Sequence, residues 1–409
     1  MRKSMRSIGV TAGSLLLCLG LFGVAAFGQD AAGGITQLAE LTASDGAPFN
    51  LLGFSIAISG DTVVVGAPAT GTGGAVYVFV KPAIGWANMT QTAKLTPSDG
   101  HGDALGTSVA ISGNTVVAGA PNAVGGGQSG RGAVYVFVEP AGGWVDMTET
   151  AQLSSSNRND FGVGTSVGLS GSTAVAGAPL ADKAYVFLEP KTGWATRPQT
   201  ATLTSTDPGG SFGNSVSVSG DTVAVGAPLF PAAYVFVRPA TGWVNMTQTA
   251  KLTGTARQTG DLGGSVAISG GTVVTGASSA SFGGIGAGAA YVFVRPTTGW
   301  VNMTPTATLT AADADQLDAL GVSVAIGGNG VTVGAPGWPS GTAKGAAYVF
   351  VKPPGGWVSV AGKNRIEAFG EQTENQFGYS VAMSDGIVVS GATSFTAGGG
   401  AAFVFGNPE

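Results

Sequence analysis

One short phrase, a glycine, any residue, a serine and then valine or isoleucine, recurs seven times along the chain, and few folds accept such a pattern. The copies begin at Gly53, Gly106, Gly164, Gly213, Gly263, Gly321 and Gly378, spaced 49 to 58 residues apart. Self-similarity at that period marks a propeller or a solenoid, in which one unit repeats and its loops absorb differences in length.

Each unit reads as four short strands. In the second, Ser108 to Ser112 alternates, Ser112-Gly113-Asn114 forms a tight turn, and Thr115 to Gly119 is rich in β-branched residues. After Ala120-Pro121 and a glycine-rich loop, Ala133 to Val138 places aromatics on one face and valines on the other. Both faces are apolar, so both must be buried, as in sheets stacked like blades. This third strand stops at a charged residue and a proline, as at Lys81-Pro82 and Arg238-Pro239, because proline cannot donate to the ladder. A Gly-Trp pair follows in six units, at Trp86, Trp144, Trp194, Trp243, Trp300 and Trp357. One repeat position shared by six tryptophans points to packing ahead of ligand stacking. A fourth, outer strand comes next, as in Thr90 to Leu95, where Lys94 is the kind of charge that blunts an edge.

The two ends complement each other. The last unit stops at Ala401 to Phe405, without a fourth strand, while Thr36 to Leu41 matches the fourth strand Thr90 to Leu95. The expectation is an all-β, seven-bladed β-propeller of four-stranded antiparallel blades, its ring closed by the N-terminal strand completing the last blade.

The units resemble FG-GAP repeats, which build the seven-bladed propeller of integrin α-chains and of many secreted bacterial proteins. Gly-Ala-Pro stands at Gly66, Gly119, Gly177, Gly226 and Gly334 and is altered at Gly276-Ala277-Ser278 and Gly391-Ala392-Thr393. Phe-Gly is intact at Phe212-Gly213 and Phe377-Gly378. The resemblance implies an interaction or adhesion module. The family's calcium loops, between first and second strands, do not carry over: they have shrunk to turns such as Ser59-Gly60-Asp61 and Ser219-Gly220-Asp221, too short to wrap a cation that wants about six oxygens. Asp61 and Asp221 are read as turn formers, and no cofactor is expected.

The chain opens with Arg2, Lys3 and Arg6 before an apolar stretch from Ile8 to Phe27, the order of a secretory leader over residues 1–28. A retained membrane anchor and a lipoprotein are the alternatives. Residues 29–409 then form one propeller domain, secreted, cell-surface or periplasmic, with 15 basic against 23 acidic residues and no cysteine once Cys18 leaves. An acidic, lysine-poor surface argues against nucleic acid. The sequons at Asn88, Asn245 and Asn302 coincide with a repeated strand motif.

Chemistry has little to work with. One histidine, His101, lies in Asp99-Gly100-His101-Gly102-Asp103 and reads as an exposed loop residue. Asp313, Asp315 and Asp318 offer paired carboxylates, for a cation or an acid/base pair, with a solvated acidic loop as the simpler reading. No catalytic residue is assigned and the protein is expected not to be an enzyme. Binding is better supported: the loops from strand two to three and from strand four to the next strand one share one face, and variable loops on a rigid scaffold are where recognition sits. Trp338, Arg131, Lys344, Phe230, Phe282 and Phe395 lie in such loops and are the candidate ligand-binding residues. The expected function is an exported interaction or adhesion module for a protein or polysaccharide. The alternatives are a glycan-acting enzyme using acidic loops and a self-associating structural protein.

Overall fold

The computed structural model describes residues 35–71, 73–99, 103–124, 130–255, 259–281, 286–339, 344–369, 375–393 and 399–406. The leader with Cys18, the loop residue His101, and Phe282 and Phe395 lie outside the described residues. Among those described there is no helix; the chain makes seven small sheets, one per repeat. Blade 2, for example, is the antiparallel meander Ser108–Ser112, Thr115–Ala120, Ala133–Val138 and Ala151–Ser154. First strands from all seven blades line a central channel.

The amphipathic logic of the third strand decides how blades stack. In blade 1, Tyr77 and Phe79 are fully buried against Ala39, Val389 and Val404 of blade 7, while Val76 and Val78 pack with Tyr135 and Phe137 of blade 2. Each interface is thus an aromatic face against an aliphatic one. The Gly-Trp tryptophans complete it: Trp144, Trp194, Trp243, Trp300 and Trp357 are buried in these clusters and Trp86 is half-buried, which bears out packing.

The repeated phrases meet at one joint. Ser215 Oγ donates to the carbonyl of Gly263 in the next blade at 2.8 Å. The same bond recurs at every interface, and Ser380 donating to Gly53 at 2.6 Å carries it from blade 7 back to blade 1. The glycine of Gly-Ala-Pro lies beneath that carbonyl. A Cβ on Gly226 would lie 2.0 Å from Gly263 O, and the six equivalents are as tight, at 1.9 to 2.1 Å.

Closure is as expected. Thr36–Thr42 pairs antiparallel with Ala401–Gly406, with Gln37 opposite Phe405 and Leu41 opposite Ala402, around one bulge.

The outer strand departs from the expectation. Thr90 to Leu95 is not one strand: Met89–Thr90 pairs in parallel with Leu41 and Thr42 of the preceding blade, and only Ala93–Thr96 completes its own. The chain crosses between blades at Gln91, whose side chain accepts from Ser44 N and donates to Ser44 Oγ. Lys94 therefore does not sit on an edge; Met147–Thr148 of blade 2 lies beyond it. The sequon asparagines serve the same crossover. Asn88, Asn245 and Asn302 each use Oδ1 to accept a backbone N–H of the preceding blade at 2.8 Å.

Candidate functional site

Antiparallel alternation puts the two-to-three and four-to-one loops on one face, as the sequence requires, and isolated bridges such as Gly132 to Val163 tie neighbouring loops together. Arg131 does not project from this face. It is 5% exposed, and its guanidinium donates to the carbonyls of Ser155 (3.2 Å) and Asn157 (2.7 Å), so it braces the next loop from inside.

Trp338 and Lys344 come together on blade 6, in a cluster that also takes in Asp313. The Arg365 guanidinium lies 3.9 Å from the Trp338 ring centroid and pairs with Asp313 and Glu367, and Glu367 also pairs with Lys344 at 3.2 Å. Trp338 is half-buried against the blade 6 core and Lys344 is already partnered, so these two residues are more brace than anchor. Arg365 and Glu367 escaped sequence reasoning because they sit on and beside a strand, away from the variable loops. The three carboxylates do not converge. Asp313 also accepts from Tyr348, while the buried Asp318 accepts the Asp315 amide at 2.7 Å. No group of three His, Cys, Asp or Glu placed to hold a metal occurs among the described residues.

Asp313 with Tyr348 is one instance of a repeated pairing. A buried third-strand tyrosine donates to an aspartate in the loop that enters its blade: Tyr77 to Asp45, Tyr135 to Asp103, Tyr185 to Asp160 and Tyr234 to Asp207. A lysine often joins, as Lys251 to Asp207 at 2.7 Å and Lys183 to Asp160 at 2.8 Å. Lys251 and Tyr234 hold the Asp207 carboxyl below its ordinary range. At Asp160 burial works against ionisation, but hydrogen bonds from Lys183, Tyr185 and Ser155 outweigh it and the carboxyl is again lowered. The tyrosines are pushed up, first by burial and then by the adjacent carboxylates. Where a lysine joins, the carboxylate meets a cation as well as the tyrosine hydroxyl, a structural use of charge.

This face also exposes apolar side chains, among them Phe49, Leu317 and Phe369 on the loops that enter blades 1, 6 and 7. On the loops of blades 3 and 4, Phe161, Leu180, Leu229 and Phe230 are 42%, 80%, 68% and 47% exposed. Two of them stand over glycines: Leu180 covers Gly162, and Phe230 covers Gly209 and Gly210, a Cβ on Gly210 lying 3.0 Å from its ring. Asp182 fixes the two loops to each other, its carboxylate accepting Gly209 N at 2.7 Å and Phe212 N at 2.8 Å. Beside this band Thr206, Asp207, Pro208, Phe230, Pro231, Lys251 and Thr253 line an open groove of about 560 Å³. The short turn Leu229-Phe230-Pro231 opens it. Of the sequence-derived residues Phe230 alone stands in this band.

The FG-GAP repeat model matches residues 35–79, 89–137, 198–236, 246–293 and 303–350, more than half of the chain. The chain belongs to the FG-GAP repeat family. Each match begins in or beside an outer strand and ends in the third strand of the next blade, so it supplies the serine of one Ser-Gly joint and the carbonyl glycine of the joint before it. Blades 3 and 7 of this FG-GAP propeller lie largely outside the matches, yet both carry the joint, through Ser166 to Gly213 and Ser380 to Gly53. No curated protein matches the chain. In this FG-GAP protein the turns between first and second strands stay at two residues, with Gly60 and Gly220 in the left-handed region. Asp61 and Asp221 there pair with Lys81 and Arg238, as turn residues do.

Proposed function

We propose that this FG-GAP propeller is a non-enzymatic interaction module, exported from the cell, that binds a protein or polysaccharide through the loops of blades 3 and 4. The observation that carries the reading is the apolar band of Phe161, Leu180, Leu229 and Phe230, with Leu180 and Phe230 seated on glycines. The fold does not need these side chains, and rigidly held apolar side chains next to a polar groove are what recognition surfaces offer. The groove adds Asp207 and Lys251, half-exposed and close enough to orient a polar partner.

The test is capture of cell-envelope proteins and insoluble polysaccharides on the chain from residue 29, beside a Leu180→Ser/Phe230→Ser variant. One component retained by the first and lost by the second supports the module. The same band would serve self-association equally well, so sedimentation is run in parallel: a dimer that the variant dissolves moves the reading to a structural surface protein, and equal capture by both proteins refutes this face.

A further inference from the structure

The second residue of the Gly-x-Ser phrase lines the mouth of the central channel in blades 1, 2, 5, 6 and 7, and five of the seven blades fill the position with Thr107, Thr165, Asn214, Gly264 and Val322. Blades 1 and 7 depart from the repeat. They carry Phe54 and Tyr379, neighbours across the ring closure, with ring centroids 5.1 Å apart and planes inclined by 46°. Five blades form the same joint without an aromatic, so the fold does not require this pair.

Phe54 and Tyr379 line a cavity of about 230 Å³ together with Thr107, Gly264, Val322 and the serines and apolar residues of the phrases. That is room for about eight waters at ~30 Å³ each, the scale of a single ring and not of an extended chain. In a seven-membered ring, the wall facing the junction of blades 1 and 7 belongs to blade 4, whose Asn214 turns its amide to Gly264 O at 2.9 Å, and to its neighbours, where Gly264 of blade 5 contributes no side chain. The aromatic pair therefore faces open space.

The lining selects the ligand's chemistry. It contains no Asp, Glu, Lys, Arg or His, and burial raises the Tyr379 hydroxyl above its ordinary value, so that group stays neutral. The serine hydroxyl protons are committed to the inter-blade carbonyls, and Thr107 donates to Ala104 O at 2.8 Å. Their oxygens retain lone pairs, so the wall is mainly an acceptor surface beside an aromatic one. A ligand that suits it is neutral, one ring in size, rich in hydroxyl donors, and apolar on one face.

We propose that the mouth of the central channel is a subsite for a neutral pyranose, its C–H face on Phe54 and Tyr379 and its hydroxyls donating to the serine and threonine oxygens. The subsite is separate from the loop band of blades 3 and 4 and does not rest on it.

The experiment is saturation-transfer NMR and calorimetric titration of the chain from residue 29 with glucose, galactose, mannose, N-acetylglucosamine and fucose, with glucuronate and indole as controls. A Phe54→Thr/Tyr379→Val variant installs the residues that blades 2 and 6 carry at this position, so the joint is kept and an unchanged melting temperature verifies folding. The expected result is binding of at least one neutral pyranose, weakened about tenfold or more in the variant and unaffected by Leu180→Ser/Phe230→Ser. Absence of binding by every neutral sugar, binding that the variant retains, or preference for glucuronate or indole would each overturn the proposal.

Discussion

The Ser-Gly joint makes a demanding prediction at Gly226. Replacing it with alanine puts a methyl group 2.0 Å from Gly263 O and 2.4 Å from Ser215 Oγ, both more than 1 Å inside ordinary contact. Ser215 can rotate away at the cost of its 2.8 Å hydrogen bond, but the Gly263 carbonyl belongs to the next blade's backbone and yields only if that blade shifts. Overpacking that forces backbone movement costs ~3 kcal/mol or more, whereas Ser215→Ala gives up one buried hydrogen bond, ~1–2 kcal/mol. At ~2.1 cal/mol/K per residue, the roughly 370 residues from Ile35 to Gly406 carry a melting entropy near ~0.8 kcal/mol/K. Gly226→Ala should therefore lower Tm by about 4 °C or more and Ser215→Ala by about 1–3 °C. Because the alanine clashes with two groups, the double variant should stay at least as unstable as Gly226→Ala. Scanning calorimetry of the three proteins is the assay. A Gly226→Ala protein melting within about 1 °C of the parent, or restored by adding Ser215→Ala, would refute the joint as the determinant of blade packing.

Four further outcomes follow from other contacts. Arg131→Ala should destabilise the protein by about 1–3 kcal/mol in denaturant titrations, since it strips buried carbonyls of their donor, and should leave partner capture intact at temperatures where it is folded. Asp45, Asp160 and Asp207 are lowered from 3.8, so their stabilisation is present above that pH and lost as the pH falls through the folded values; the melting temperature should hold down to about pH 4 and then fall, less steeply in Asp160→Asn. The tyrosines run the other way: Tyr291 is pushed up to about 12 by burial, so stability is kept below the ordinary value of 10.0 and drains away as the pH climbs past it, read in the same scan. Deleting residues up to Thr42 exposes Ala401–Gly406 as an unpaired apolar edge, and the product should aggregate by light scattering.

The ring was legible because repetition removes ambiguity. Seven serines at one position define the inner strands, and a missing fourth strand at one end with a spare one at the other defines the closure. The split of Thr90 to Leu95 was not legible, since strand propensity says nothing about which neighbour a strand pairs with. Arg131 misled for a related reason: a charged residue in a variable loop reads as exposed, while here backbone carbonyls of the next loop draw it inside. Phe230 was found from loop position alone, while the exposure of its companions Leu180 and Leu229 shows only in the folded loops. Phe54 and Tyr379 were open to view as breaks in a repeat, but their adjacency depends on ring closure bringing residues 325 apart in number into contact.

The claim that recognition uses the loops of blades 3 and 4 is tested most directly by hydroxyl-radical footprinting of the protein alone and with its captured partner. Phe161, Leu180, Leu229 and Phe230 should lose reactivity on binding, while Ile84 and Val145, exposed at 92% and 52% on the opposite face, stay unchanged. Protection at Ile84 and Val145, with the band still reactive, would contradict the assignment.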